Sequence, residues 1–127
     1  MVKNYTLHDV VEYTLALLPG EKINLSANRG QRAFHNLREK CPDFFPDLMF
    51  DKNGHIPYSE ELEEQFQLMI STGILELTWL NGVYGFDQKM KSHILEELSG
   101  KFSEEEKNEM KKMSESLKDS IVKKSYF

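Results

Sequence analysis

One cysteine, Cys41, is all the chain holds, so no disulfide can form within it. That usage suits a reducing compartment and leaves stability to a packed core. No apolar run approaches the roughly 18–20 residues that a bilayer-spanning helix needs, so no membrane association is expected. The opening Met-Val-Lys-Asn-Tyr lacks the apolar stretch and small-residue cleavage site of a secretory signal. The chain therefore reads as cytoplasmic and unprocessed. There is no Gly-rich phosphate loop, no HExxH and no paired Cys/His spacing. The four histidines, His8, His35, His55 and His93, are scattered. No catalytic group, metal site or cofactor is expected.

Two partial motifs have plainer alternatives. The stretch from Asp51 through Gly54 to Glu60 begins like a calcium loop. An EF-hand, however, needs Gly at its sixth position and Glu at its twelfth. Here Gly54 is fourth, Leu62 stands in the twelfth place, and Pro57 falls inside. Cys41 with His35 could be drawn as nucleophile and base, but a lone Cys at a helix end is an ordinary packing residue.

What is present is an ordinary globular composition: 127 residues, 39% hydrophobic and 29% charged, enough for one domain with a modest core. The net charge of −5 is unevenly spread. Residues 1–41 carry six Lys/Arg against four Asp/Glu, and residues 42–65 carry one Lys against seven acids. A mildly basic region thus adjoins a strongly acidic one.

Thr6 caps a first helix, with Asp9 favouring its positive end. Leu7, Val10, Val11, Thr14, Leu17 and Leu18 share its apolar face, Leu15 and Ala16 widen it, and Pro19-Gly20 ends it. Asn24 or Ser26 caps a second helix to about Lys40, with Ala33, Phe34, Leu37 and Cys41 inward. An irregular stretch follows, with a short strand around residues 48–50. Ser59 caps a third helix with the stripe Leu62, Phe66, Met69 and Ile70, and Gly73 is its left-handed C-terminal cap. Residues 74–80 suit a strand, and Asn81-Gly82 fits a two-residue type I′ turn. That turn sets Leu80 opposite Val83, Trp79 opposite Tyr84 and Leu77 opposite Phe86. Asp87 caps a fourth helix with Met90, Ile94, Leu95 and Leu98 inward, ending at Gly100. Ser103 and Glu106 form a capping box for a fifth. Its stripe of Met110, Met113, Leu117 and Ile121 packs on the first helix by default, with a two-fold dimer contact as the second reading. The expected fold is mostly α with a β-hairpin (α+β): a winged-helix-like domain over residues 1–100, then a C-terminal amphipathic helix over 101–127 packing on it or on a second subunit.

Helix, helix, helix, hairpin is the order of a winged helix, whose third helix enters the major groove. Here the N-terminal turns of that helix carry Glu60, Glu61, Glu63 and Glu64, which would repel phosphates. A DNA-binding regulator would have to use the second helix, through Arg29, Arg32, Arg38 and Lys40; the plain alternative is a solvated face. For a protein partner the candidates are Glu60, Glu61 and Glu64 together with the aromatic segment Phe44, Phe45 and Phe50, whose plain alternative is a satellite of the core.

The run Pro57-Tyr58-Ser59-Glu60-Glu61-Leu62, followed by an amphipathic helix and Gly73-Ile74-Leu75, resembles the Panacea-domain antitoxins and small bacterial proteins related to them. Arg29-Gly30-Gln31-Arg32-Ala33-Phe34 occupies the place of that family's basic helix, and Ile56 stands where the family usually has Gly. The likeness spans residues 25–98, its specific part being the six residues from Pro57. It implies a winged-helix-like domain that often works by binding a partner protein, such as a toxin, rather than by catalysis. The sequence thus points to a non-enzymatic regulatory or interaction module, with DNA binding as the alternative.

Overall fold

Thr6 Oγ1 accepts from the Asp9 amide at 3.3 Å, while the Asp9 carboxylate accepts from the Thr6 amide at 3.0 Å. This reciprocal box starts α1 (Leu7–Ala16). The helix is buried well beyond the apolar stripe: Val10, Val11 and Leu15 are inaccessible, and Asp9, Glu12, Tyr13 and Thr14 nearly so. Its two buried acids are matched, Asp9 by Lys101 at 3.1 Å and Glu12 by His8 at 2.5 Å. The computed structural model describes residues 5–18, 22–25, 28–46, 48–51, 57–77 and 83–121. The expected Pro19-Gly20 stop lies outside them. The helix closes at Leu17, whose amide donates to Tyr13 O at 3.1 Å.

A strand that periodicity did not reveal comes next. β1 (Lys22–Asn24) pairs antiparallel with β3 (Val83–Phe86), which pairs with β2 (Leu75–Leu77), so the sheet order is β1-β3-β2. β1 contributes one inward side chain, Ile23, too little alternation to mark a strand; its ladder bonds come from far along the chain. Asn24 is therefore a strand residue rather than a cap. α2 (Arg29–Lys40) starts instead after Asn28, a left-handed residue at φ 58° with no side-chain cap bond. The other expected cap, Ser26, lies outside the described residues.

The third helix, α3 (Glu60–Ser71), is bounded as the sequence predicts. Ser59 Oγ accepts from Leu62 N at 3.2 Å. Gly73, at φ +83°, closes a Schellman motif: its amide donates to Ile70 O at 3.2 Å, and the Ile74 amide to Met69 O at 2.9 Å. The hairpin that follows is two residues out of the expected register. Leu75 faces Phe86, and Leu77 faces Tyr84 instead of Phe86. A slip of two keeps each side chain on its own face, so alternation alone cannot choose between the two pairings. The Schellman turn chooses: it sets Ile74 and Leu75 in the core beside α3 and leaves Leu77 61% exposed. Leu80, Trp79 and the Asn81-Gly82 turn lie outside the described residues, but Tyr84, expected opposite Trp79, is already taken by Leu77.

Between α2 and α3 the chain makes a 3-10 turn at Pro42–Phe44, and the strand expected at residues 48–50 is not formed. Arg38 Nε donates to Leu48 O at 2.6 Å, drawing that carbonyl towards α2. The only extended pairing nearby among the described residues is the bridge of Asp51 with Tyr58.

Asp87 caps α4 (Gln88–Leu98) through the Lys89 and Met90 amides at 2.9 and 3.0 Å. A 3-10 turn at Ser99–Lys101 leads to α5 (Glu104–Ile121), where the Ser103–Glu106 capping box is complete at 2.8 and 3.1 Å. Met110, Met113, Leu117 and Ile121 are each at most 2% exposed, packed chiefly on α2 and also on α1. Packing on the first helix, the default expectation, is present but secondary to α2, and the four side chains that the alternative dimer contact would use are already covered within the chain. Phe102, just before α5, stacks within 5.0 Å of both Tyr5 and Tyr13. Burial, then the neighbouring Glu106 carboxylate, push the Tyr5 phenol up to about 12. The architecture is mostly α with one small antiparallel sheet, an α+β fold. Among the described residues no helix is long and apolar enough to cross a membrane.

Candidate functional site

Two neighbouring residues of α2 set the position of α3. At Gly30 a Cβ would come within 2.9 Å of the Leu25 and Phe66 side chains, so glycine lets the two helices approach closely. Next to it, the buried Gln31 amide grips the backbone of Ser59 at two points. Ser59 N donates to Gln31 Oε1 at 2.8 Å, and Gln31 Nε2 donates to Ser59 O at 3.0 Å. With Ser59 fixed and Leu62, Phe66 and Met69 buried, the opposite face of α3 is turned to solvent.

That outer face is an open trough lined by Tyr58, Glu60, Glu63, Glu64, Gln67, Leu68 and Ser71. Its chemistry is mixed. Tyr58 and Leu68 are 39% and 45% exposed, and three carboxylates stand around them. Glu63 accepts from Gln67 Nε2 at 3.0 Å, and Glu61, beside the trough, accepts from Ser59 Oγ at 3.3 Å. Among the described residues, none of Glu60, Glu61, Glu63 and Glu64 has a Lys, Arg or His partner. Partial burial, then the charges of Glu63 and Glu60, push the Tyr58 phenol up. The face therefore offers negative charge beside an aromatic ring and an aliphatic contact, a combination suited to a cationic, partly apolar ligand.

The other expected partner residues lie elsewhere. Phe44 and Phe45 are 9% and 1% exposed and Phe50 is half-buried. Phe44 stacks on Tyr5 at 6.1 Å, Phe45 meets Phe34 edge-on at 6.2 Å, and Phe50 meets His35 edge-on at 5.0 Å. The aromatic segment thus belongs to the core, because α2 supplies ring and apolar surface for it to close on. Its exposed member is Met49, and a cleft of about 80 Å³ remains between the segment and residues Tyr5 to Leu7.

The basic side chains of α2 divide. Arg29, Arg32 and Lys40 are exposed and fall within one stripe at about 100° per residue. Arg38 is instead occupied by Leu48 O and lies 4.0 Å from Glu39. The three described histidines each stand beside a glutamate four residues on: His8–Glu12, His35–Glu39 and His93–Glu97. This H-x-x-x-E spacing was legible in the sequence but is not a metal motif. Among the described residues no three His, Cys, Asp or Glu side chains gather around a common point. Burial, reinforced by Glu109 and Asp43 against the opposing Lys40, raises the Cys41 thiol, the wrong direction for a nucleophile. His55 and Gly54 of the calcium-like stretch lie outside the described residues.

Compared with family models, curated proteins and solved structures, the chain finds no match.

Proposed function

We propose that the protein is a non-enzymatic binding module that docks a basic, partly apolar segment of another protein on the outer face of α3. The observation that carries this reading is the set of carboxylates, unpaired among the described residues, around exposed Tyr58 and Leu68. A face carrying charge of one sign favours a partner of the other sign and speeds encounter with it. A winged-helix reading of the scaffold is supported by the order α1-β1-α2-α3-β2-β3 and the sheet order β1-β3-β2. In that reading α3 holds the place of a DNA-reading helix with the charge reversed. The resemblance at residues 57–62 extends the proposal to antitoxin-like regulation, and lone Cys41 accords with a cytoplasmic setting.

The test is a titration of isotope-labelled protein with a short Lys/Arg-rich amphipathic peptide, read by amide chemical shifts. Shifts should concentrate on Tyr58, Glu60, Glu64 and Leu68, and weaken about tenfold in affinity for the triple variant Glu60→Gln/Glu63→Gln/Glu64→Gln, on the order of 1.4 kcal/mol. Shifts scattered over the surface, or unchanged affinity in the variant, would overturn the reading. The DNA-binding alternative rests on the stripe of Arg29, Arg32 and Lys40. Duplex DNA at low salt should then perturb α2 and leave α3 untouched.

A further inference from the structure

His8 stands at the seam between α1 and α3 with an acceptor on each side. Its Nδ1 is 2.6 Å from Gln65 Oε1, and its Nε2 is 2.5 Å from Glu12 Oε1. A neutral imidazole has one N–H and one lone pair, so it can donate to only one of these oxygens. An imidazolium donates to both.

The pair differs from the other two histidine–glutamate pairs. Glu12 has a side chain only 12% exposed, whereas Glu39 and Glu97 are 52% and 64% exposed. Among the described residues His8 is the one hydrogen-bonding partner of Glu12, and its ring also reaches a second helix, 57 residues along the chain. Losing the ring proton would leave a buried carboxylate with no cation, and the ring could keep its contact with α3 only if the Gln65 amide turned over to present its NH2.

We propose that His8 is a pH-sensitive latch between α1 and α3, closed while both ring nitrogens carry protons. The charged groups facing it are Glu12 and Asp9 of its own helix, and Asp9 is itself paired with Lys101 from the turn before α5. From α3 it meets the neutral Gln65 amide. The Glu12 hydrogen bond raises the His8 pKa above its ordinary 6.5, burial opposes that shift, and the Gln65 bond adds to it. A folded-state pKa above the unfolded one gives stability that is fully present below pH 6.5 and is lost as pH rises through the folded value. The latch is independent of the docking reading, since it concerns the attachment of α3 rather than its outer face.

The experiment follows the ring nitrogens of the wild-type chain by NMR between pH 5.5 and 9. The His8 ring should keep both nitrogens protonated above pH 6.5, the ordinary midpoint of a histidine, and Glu12→Gln should lower its titration. In parallel, the melting-temperature advantage of the wild type over His8→Gln should shrink by about 4 °C across the same interval. If His8 titrates at or below 6.5, or the advantage is the same at both ends of the range, the latch does not exist. The ring titration needs only the wild-type chain, so it decides the matter even where a His8→Gln variant fails to fold.

Discussion

Gln31 supplies to Ser59 what a neighbouring strand would supply, one donor and one acceptor held in a buried site. The Ser59 carbonyl also receives the Glu63 amide at 3.1 Å, so it keeps a partner if Gln31 is lost. The Ser59 amide does not. Gln31→Met, which keeps the volume and removes both polar atoms, should therefore cost about 2 kcal/mol, close to that of orphaning one buried donor. Chemical denaturation measures it, and a loss within a few tenths of a kcal/mol would show that water replaces the amide. This role was not legible in the sequence, where Gln31 sits close to two arginines and reads as part of a solvated basic helix. The exposure of Glu60 and Glu64 was legible, because charge at a helix start is exposed almost by default, whereas Glu61 falls beside the trough and Glu63, outside the expected partner set, lines it. Leu68 was implicit in the sequence, since helical spacing sets it about opposite the stripe of Leu62, Phe66, Met69 and Ile70. Tyr58 was not, because it precedes the helix and no periodicity governs which way it turns.

Caps and stops were the most readable elements, since Thr6, Ser59, Gly73, Asp87 and Ser103 act within four residues of themselves. β1 and the hairpin register were not, because each is decided by a partner distant in sequence or by packing that a slip of two leaves unchanged. The two functional glycines separate backbone from steric causes. At Gly73 a Cβ would meet nothing within 4 Å, so Gly73→Ala is opposed by the positive φ alone. It should lower stability by about 1 kcal/mol, with Gly73→Asn recovering part of that loss. At Gly30 the backbone is helical and alanine would gain about 1 kcal/mol of intrinsic propensity. The contacts at 2.9 Å with Leu25 and Phe66 oppose it. Because Phe66 is held between two helices and cannot withdraw freely, Gly30→Ala should be destabilising by about 1–2 kcal/mol in net terms. A stabilised Gly30→Ala variant would show instead that α3 yields, and that its position is less fixed than the Gln31 grip implies.

At the scale of the whole chain, the decisive feature is that α5 completes the core. Read alone, Met110, Met113, Leu117 and Ile121 make a seam narrow enough for a coiled-coil contact, and sequence cannot say whether the opposing surface belongs to the same chain. The structure gives that surface to α2 and α1, and all four side chains are shielded without a second copy. Two measurements distinguish an internal seam from a shared one. Leu117→Ala should cost about 3 kcal/mol, as for other buried leucines cut to alanine, because the cavity opens inside a packed core. The wild-type melting temperature should also be independent of protein concentration over about a hundredfold range, since dissociation of a partner would make stability follow mass action. A melting point that climbs with concentration, together with a small Leu117→Ala effect at high concentration, would return the seam to a dimer. The expected outcome leaves the outer face of α3 as the surface on which the proposed docking rests, because the aromatic segment and the C-terminal stripe are both consumed in holding α1 and α2 in place.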